Sequence, residues 1–481
     1  MAFIRKVKTA SGATAVQVAH KAYGRIVKIE HIGSAHTKED LETLLALARK
    51  RLLGGQQLLF KEAPPLKIVL KQSVSGLLLE ILTEQYNYLG FNRLKDDIFT
   101  YLCVARIVEP TSKLDSIRIL DELGVTGISI DRLYRCLRQI IAGDYRKTIT
   151  EACFSYANTS GISLVLYDVT SLYFEIQKED DYRKSGMSKE RRLEPQIIVG
   201  LLVDQHGFPL GLHSFEGNTA EVNTILPVIE TFKKQHDLSA ITVVADAAML
   251  SSKNMEALTK AGYTYVVGSR LHKIPYDIAE YQKTKELTDN QIIATQLEGG
   301  QRVIYQYREK RAALDLRNIE KQITKAEKIL NGNAAGKKAK FLSVKLKEKK
   351  LNQTLIDKAK TLAGIKGYVT NLAVPDRQVI SYYHQLWHVE KSFRISKSDL
   401  KARPIFHHKR DSIEAHLTVV LAALAIGKLI ENSTGMSIKR FIRTLRSVRS
   451  GTVTINGKEY QAEAELSTEV KSLMHKLQPG H

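Results

Sequence analysis

Three acidic residues lie where a carboxylate is hard to keep without a task. Asp168 sits in "LVLYDVTSL" and Asp246 in "VVADAAML", each reading as the end of an apolar strand. A carboxylate so placed is costly unless it is capped, paired or metal-bound. For either residue alone, a strand-end cap or turn former is the ordinary reading. Two in adjacent strand–helix units, joined by a third carboxylate on a later helix, point to a shared site. The third is Glu390 in "YYHQLWHVEKSFRISKSDL", residues 382–400, which reads as one helix. At 100° per residue, Tyr383, Arg394 and Lys397 fall within about 40° of Glu390. Leu386, Val389, Phe393 and Leu400 form an apolar stripe beside them. The helix therefore carries a carboxylate and two cations at the lip of a core.

Three carboxylates from separate elements suit a hard divalent cation. Mg²⁺ takes oxygen ligands, keeps several waters and shares substrate phosphates. Two such ions about 4 Å apart can activate an attacking oxygen and stabilise a leaving one in phosphodiester chemistry. Arg394 would add a planar fork for phosphate and Lys397 a point charge. The plainer reading of Arg394 is an i,i+4 ion pair with Glu390 on an exposed face, against which stands the adjacent apolar stripe. Trp387, the single tryptophan, is expected to pack in the core; stacking on a nucleic-acid base is the alternative.

These residues need a scaffold. Residues 2–33 alternate like short strands, and 38–53 are helical in pattern. Residues 66–150 read as mostly helical. Within them "GVTGISIDRLYRCLRQI" is similar to the turn and second helix of a helix-turn-helix, with Ser129 as cap and Arg132, Arg135 and Arg138 on the helix; an ordinary basic surface helix fits equally. From residue 162 the pattern becomes strand, strand, strand, helix, strand, helix, strand, which predicts a mixed sheet with helical cover. "EGNTAE" (216–221) precedes its first helix, with Asn218 or Thr219 expected as cap. Residues 272–365 interrupt with a β-like piece and then a helical hairpin. Its first arm carries Leu316, Ile319, Ile323, Ala326 and Leu330 at 3-4-3-4 spacing, "NGNAAG" (331–336) turns the chain, and a lysine-rich helix returns. "LTVVLAALAIG" (417–427) is too short to cross a bilayer and suits a buried helix.

Composition narrows the class of partner. The 481 residues include 72 Lys plus Arg against 51 Asp plus Glu, a net charge of +21. A polyanion is the expected partner, nucleic acid first. Cys103, Cys136 and Cys153 are far apart and form no CxxC pair, which argues against a zinc site or a disulfide framework. No apolar signal core opens the chain, and a cytoplasmic setting without a membrane is expected.

The stretches "LYDVTSLYFE", "VVADAAML" and "YHQLWHVEKSFRISKSDLKARPIFH" resemble the DDE transposases of bacterial insertion sequences, more narrowly the superfamily marked by Tyr-x2-Arg-x3-Glu-x6-Lys. Here that signature falls on Tyr383, Leu386, Glu390 and Lys397, with leucine where the superfamily has arginine. The resemblance covers about 160–433. It implies a ribonuclease-H-like mixed sheet with Asp168, Asp246 and Glu390 as catalytic, metal-binding residues for two Mg²⁺ ions, Mn²⁺ being a substitute. It implies Tyr383, Arg394 and Lys397 as DNA contacts. The expected layout is a small β-plus-helix region (1–60), a helical and DNA-binding region (61–155), the catalytic core (156–271 and 366–433), an insertion (272–365), and a C-terminal tail or subdomain (434–481). The expected activity is metal-dependent cleavage and strand transfer on double-stranded DNA, at element ends and at a target, by a homodimer on the DNA. The rivals are a nuclease with the same core that does not join strands, and a DNA-binding protein no longer catalytic.

Overall fold

The computed structural model describes residues 1–54, 68–159, 161–175, 178–186, 194–238, 240–249, 251–269, 274–297, 300–331, 339–345, 348–403 and 405–478. The chain forms two compact units, Met1–Val69 with Thr454–Glu459, and Leu70–Val453 with Tyr460–His481.

In the first unit, β1 (Ala2–Lys8), β2 (Thr14–Ala22) and β3 (Arg25–Ala35) make an antiparallel sheet, and α1 (Lys38–Leu53) packs on it. Thr37 caps α1 by accepting from the Asp40 N–H. Val16, Val18 and Ala48 are the centre of a small separate core.

The chain passes into the second unit within β4 (Ile68–Val74), a strand where helix is expected. It continues through α2 (Gly76–Tyr88), α3 (Asp97–Val108), α4 (Asp115–Glu122), α5 (Ile130–Ala142) and α6 (Tyr145–Asn158). On α5, Ser129 accepts from the Arg132 N–H, as expected of the cap. Leu133, Cys136, Leu137 and Ile140 face inward, which leaves Arg132, Arg135 and Arg138 on the exposed side.

The sheet follows as β5 (Leu164–Tyr173), β6 (Gln196–Asp204), β7 (Pro209–Glu216), α7 (Ile225–His236), β8 (Thr242–Ala245), α8 (Ser252–Lys260), β9 (Thr264–Ser269) and α9 (Tyr276–Thr284). The 216–221 segment does not cap α7. The residue at its start is Thr224, whose hydroxyl donates to the Glu221 carbonyl at 2.7 Å.

The insertion contains β10 (Ile292–Gln296), β11 (Arg302–Tyr307), α10 (Glu309–Leu330), β12 (Leu342–Lys345), β13 (Glu348–Leu351) and α11 (Gln353–Thr361), and β14 (Ile365–Thr370) returns to the core. Two expectations are corrected here. The returning arm is a β-hairpin and a nine-residue helix rather than one lysine-rich helix. The buried seam of α10 runs through Ala312, Ile319, Ile323, Ala326 and Ile329, with Leu316 exposed. Most of the proposed 331–336 turn lies outside the described residues. Nor is the insertion a separate body, because β10 and β11 continue the core sheet. The eight-stranded order is β10-β11-β14-β9-β8-β5-β6-β7. β5, β8 and β9 run parallel, and every other neighbouring pair in the sheet is antiparallel.

The chain ends with α12 (Asp376–His384), α13 (Trp387–Arg394), α14 (Arg410–Thr434), α15 (Ile438–Arg446), β15 (Ser450–Ile455), β16 (Lys458–Ala462) and α16 (Thr468–Leu477). The apolar 417–427 run is the middle of α14, a 25-residue helix long and apolar enough to cross a membrane. That corrects the length expectation. Burial itself holds: the apolar window of α14 is 94% buried among protein side chains. Val470 and Leu473 of α16 are buried in the main core, so α16 is docked there.

Candidate active site

The two aspartates meet through strand register. β5 pairs in parallel with β8, and Tyr167 lies opposite Ala245. Asp168 and Asp246, one residue further along, therefore stand side by side where β8 ends. Asp168 is not at a strand end. It is mid-way along β5, which continues to Tyr173 beside β6. It sits where β5 loses its parallel neighbour, and a site opens at such carboxyl ends. Asp246 begins a turn and accepts from the Ala247 N–H at 2.7 Å. Gly200 on β6 makes room for the neighbouring Tyr167, since a Cβ there would lie 2.2 Å from the phenol oxygen.

The stretch 382–400 is not one straight helix. Gln385, Leu386, His388 and Val389 each bond back three residues, which tightens the chain between α12 and α13. Ile395–Asp399 then widens into a π turn. The regular wheel therefore fails across this region, and Tyr383 belongs to a different helix from Glu390. Tyr383 nevertheless reaches the site. Its hydroxyl donates to Asp246 Oδ1 at 2.8 Å, and its ring fits against Gly268, where a Cβ would come within 2.6 Å of the phenol oxygen. Burial, Asp246 and Glu390 all push the Tyr383 phenol upward. Tyr383 is thus buried, bonded to Asp246, and part of the lining of the cavity described below.

The helix carrying Glu390 is fixed from two sides. Ser392 donates to the Gly207 carbonyl at 2.8 Å, in the turn between β6 and β7. Lys391 pairs with Glu431 of α14 at 3.1 Å. Upstream, Asp376 of α12 takes an ion pair from Arg302 of β11 at 2.9 Å.

One cavity of about 290 Å³ collects the result. Its lining includes Asp168, Asp246 and Glu390, with Tyr167, Lys366, Tyr383 and Trp387. Among the described residues, no three His, Cys, Asp or Glu side chains are drawn together as a ready cage for a metal. A second cavity of about 430 Å³ shares Asp246, Lys366 and Tyr383 and extends to Arg311 of α10. Arg394 and Lys397 line neither cavity. Arg394 is exposed at the end of α13, and Lys397 lies in the π turn.

Two residues of this cavity were missed or misread from sequence. Trp387 is 53% exposed and lies beside His388 with the rings tilted, centroids 3.8 Å apart, so the core-packing expectation is corrected. Lys366 carried no signal, being one lysine in a lysine-rich region. Its ammonium lies 4.1 Å from the Tyr383 ring centroid. Burial and Arg311 pull its pKa down, while Asp246 and Glu390 hold it up.

The transposase DDE-domain family matches residues 159–426, more than half of the chain. The chain belongs to that family. No curated protein matches it. Among solved structures, a cryo-EM structure of a piggyBac transposase synaptic complex with hairpin DNA aligns over 76% of this chain and 70% of that one, at 13% identity and a TM-score of 0.41.

Proposed function

We propose that the protein binds the ends of a mobile DNA element, cleaves there, and joins the freed 3′ end to target DNA. The observation that carries this reading is the register that sets Asp168 beside Asp246, with Glu390 on the same cavity. The antiparallel β7-β6-β5 sheet continued by parallel β8 and β9 supports the ribonuclease-H-like class. The donor set is all carboxylate oxygen in an open cavity, which fits Mg²⁺ or Mn²⁺. Asp168, Asp246 and Glu390 would hold two such ions, the carboxylates closing from their present spacing. Bound there, divalent metal would supply Lewis-acid stabilisation of charge on the scissile phosphate.

The chain's own residues do the rest. Tyr383 holds Asp246 by one carboxylate oxygen. The Gly207–Ser392 bond holds the backbone that presents Glu390. Arg394 and Lys397 would grip phosphate beyond the carboxylates, and exposed Trp387 offers a face for a base. Two ends held together would call for two copies of the chain on DNA.

The test is a duplex carrying the DNA that flanks the coding region, incubated with Mg²⁺ or Mn²⁺ and a target plasmid. Cleavage and a joined product are expected from the wild type and neither from Asp168→Asn or Glu390→Gln. Cleavage with no joined product under any condition would assign a nuclease. Unchanged activity in both variants would overturn the site.

A further inference from the structure

Apart from the carboxylate cavity, four basic side chains gather where α3 meets α14. Arg106 lies in the last turn of α3, Lys113 in the segment after it, His407 in the loop before α14, and His416 in the second turn of α14. Arg106 and Lys113 are each 7% exposed and His416 is 4% exposed. The rings of His407 and His416 are 5.6 Å apart. His416 Nε2 sits 3.3 Å from the Ala402 carbonyl, while its Nδ1 is sealed from solvent with no partner.

Among the described residues, no carboxylate pairs with this group. Among the described residues, Arg106 and Lys113 take part in no ion pair and no hydrogen bond. Asp96 is the carboxylate felt by nearby Cys103 and Cys136, and it is already engaged by the Phe99 N–H and the Tyr145 hydroxyl. Burial and then Arg106 pull Lys113 down to about 7. Burial, Arg106 and Lys113 together hold His416 far below the ordinary imidazole range. The electronegative end of α3 beside Arg106 offsets only part of the cost of burying one unpaired cation, so the helix end does not account for two.

We propose that Arg106, Lys113, His407 and His416 form a subsite for a phosphate group. A guanidinium fork matches phosphate oxygens in pairs, and an ammonium adds a point charge. The rim carries the same chemistry, with His408, Lys409 and Arg410 exposed and Phe406 69% exposed beside them. The phosphate is either that of a DNA terminus or a free anion, and the experiment separates the two. The inference stands apart from the cleavage reading, since binding here needs no catalysis.

The experiment is thermal unfolding of the full chain in phosphate-free buffer at constant ionic strength, titrated with inorganic phosphate and, in parallel, with chloride. Phosphate is expected to raise the wild-type Tm by at least about 2 °C beyond chloride. Lys113→Met should abolish that difference while unfolding no lower than wild type without phosphate, because an apolar side chain replaces an unbalanced buried cation. Lys113→Gln is the second variant and should lose the response too. Retention of the full phosphate response in both variants overturns the proposal, as does equal action of phosphate and chloride on the wild type. A further arm compares duplexes with and without 5′-phosphates. A larger shift from the phosphorylated duplex, lost in Lys113→Met, assigns the site to a DNA end. Equal shifts from the two duplexes beside an intact inorganic response assign it to free anion.

Discussion

At the scale of single residues, the site divides into groups that would meet substrate and groups that hold them. Asp168, Asp246 and Glu390 face the cavity, and amide or glutamine replacement removes charge without changing shape. Loss of about 10³-fold in strand cleavage is expected for each, equivalent to roughly 4 kcal/mol, measured on labelled duplex under single turnover. Tyr383 is bonded to Asp246 and would act through it. Tyr383→Phe removes one hydrogen bond worth about 1–1.5 kcal/mol. Its rate should fall about tenfold, with unaltered folding and a raised requirement for Mg²⁺. A rate loss with no change in the Mg²⁺ dependence would deny it the positioning role. The three carboxylates and Lys397 could be singled out in the linear chain because their neighbours make them anomalous or their spacing is regular. Lys366 could not, because what distinguishes it is the Tyr383 ring it covers, contributed by another element.

At the scale of elements, the approach of the β6–β7 turn to α13 decides where Glu390 points. Gly207 has φ of +80°, and a Cβ there would lie 3.2 Å from both the carbonyl oxygen and the Cβ of His388. Gly207→Ala therefore strains the turn and pushes α13 away. A destabilisation of about 1–3 kcal/mol is expected by denaturant unfolding, with cleavage reduced further than stability alone explains. Wild-type cleavage in this variant would show that α13 is placed by something else. The break at Gln385–Leu386 had no herald in the sequence: neither proline nor glycine interrupts 382–400. Local propensity favours an unbroken helix there, and packing of Tyr383 on β9 and of Ser392 on the β6–β7 turn overrides it.

At the scale of the molecule, a half-buried ion pair ties the helical region to the sheet and α14. Arg146 of α6 contacts Glu414 at 2.7 Å, and Glu414 accepts from Tyr182 and from Ser214 of β7. Burial pushes the Glu414 carboxyl up, but Arg146 and the two hydroxyls outweigh it and leave the pKa lowered. A carboxyl with a depressed folded pKa contributes stability that is complete above its unfolded value and disappears as pH falls through the folded one. The chain should lose stability below about pH 4. Glu414→Gln should be roughly 1–3 kcal/mol less stable at neutral pH and lose less in acid. An acid limb as steep as in the wild type would count against the linkage. The net charge of +21 belongs to this scale as well. DNA affinity should fall steeply with salt, and the slope should survive in Asp168→Asn, since counterion release does not depend on the cavity.

Composition and pattern alone determined the strong positive charge, the mixed sheet from residue 162 and the three carboxylates within apolar surroundings. Those follow from charge and from side-chain periodicity, which are local. Tertiary structure alone decided that Asp168 and Asp246 are neighbours, because a parallel pairing joins strands separated by two other strands and a helix. It decided that the insertion's β10 and β11 belong to the core sheet, since an edge strand takes whichever partner completes its hydrogen bonds. It also turned Trp387 outward and Tyr383 inward. Helical spacing predicts which residues share a face only while the helix stays regular, and here the chain is overwound at Gln385 and underwound after Arg394.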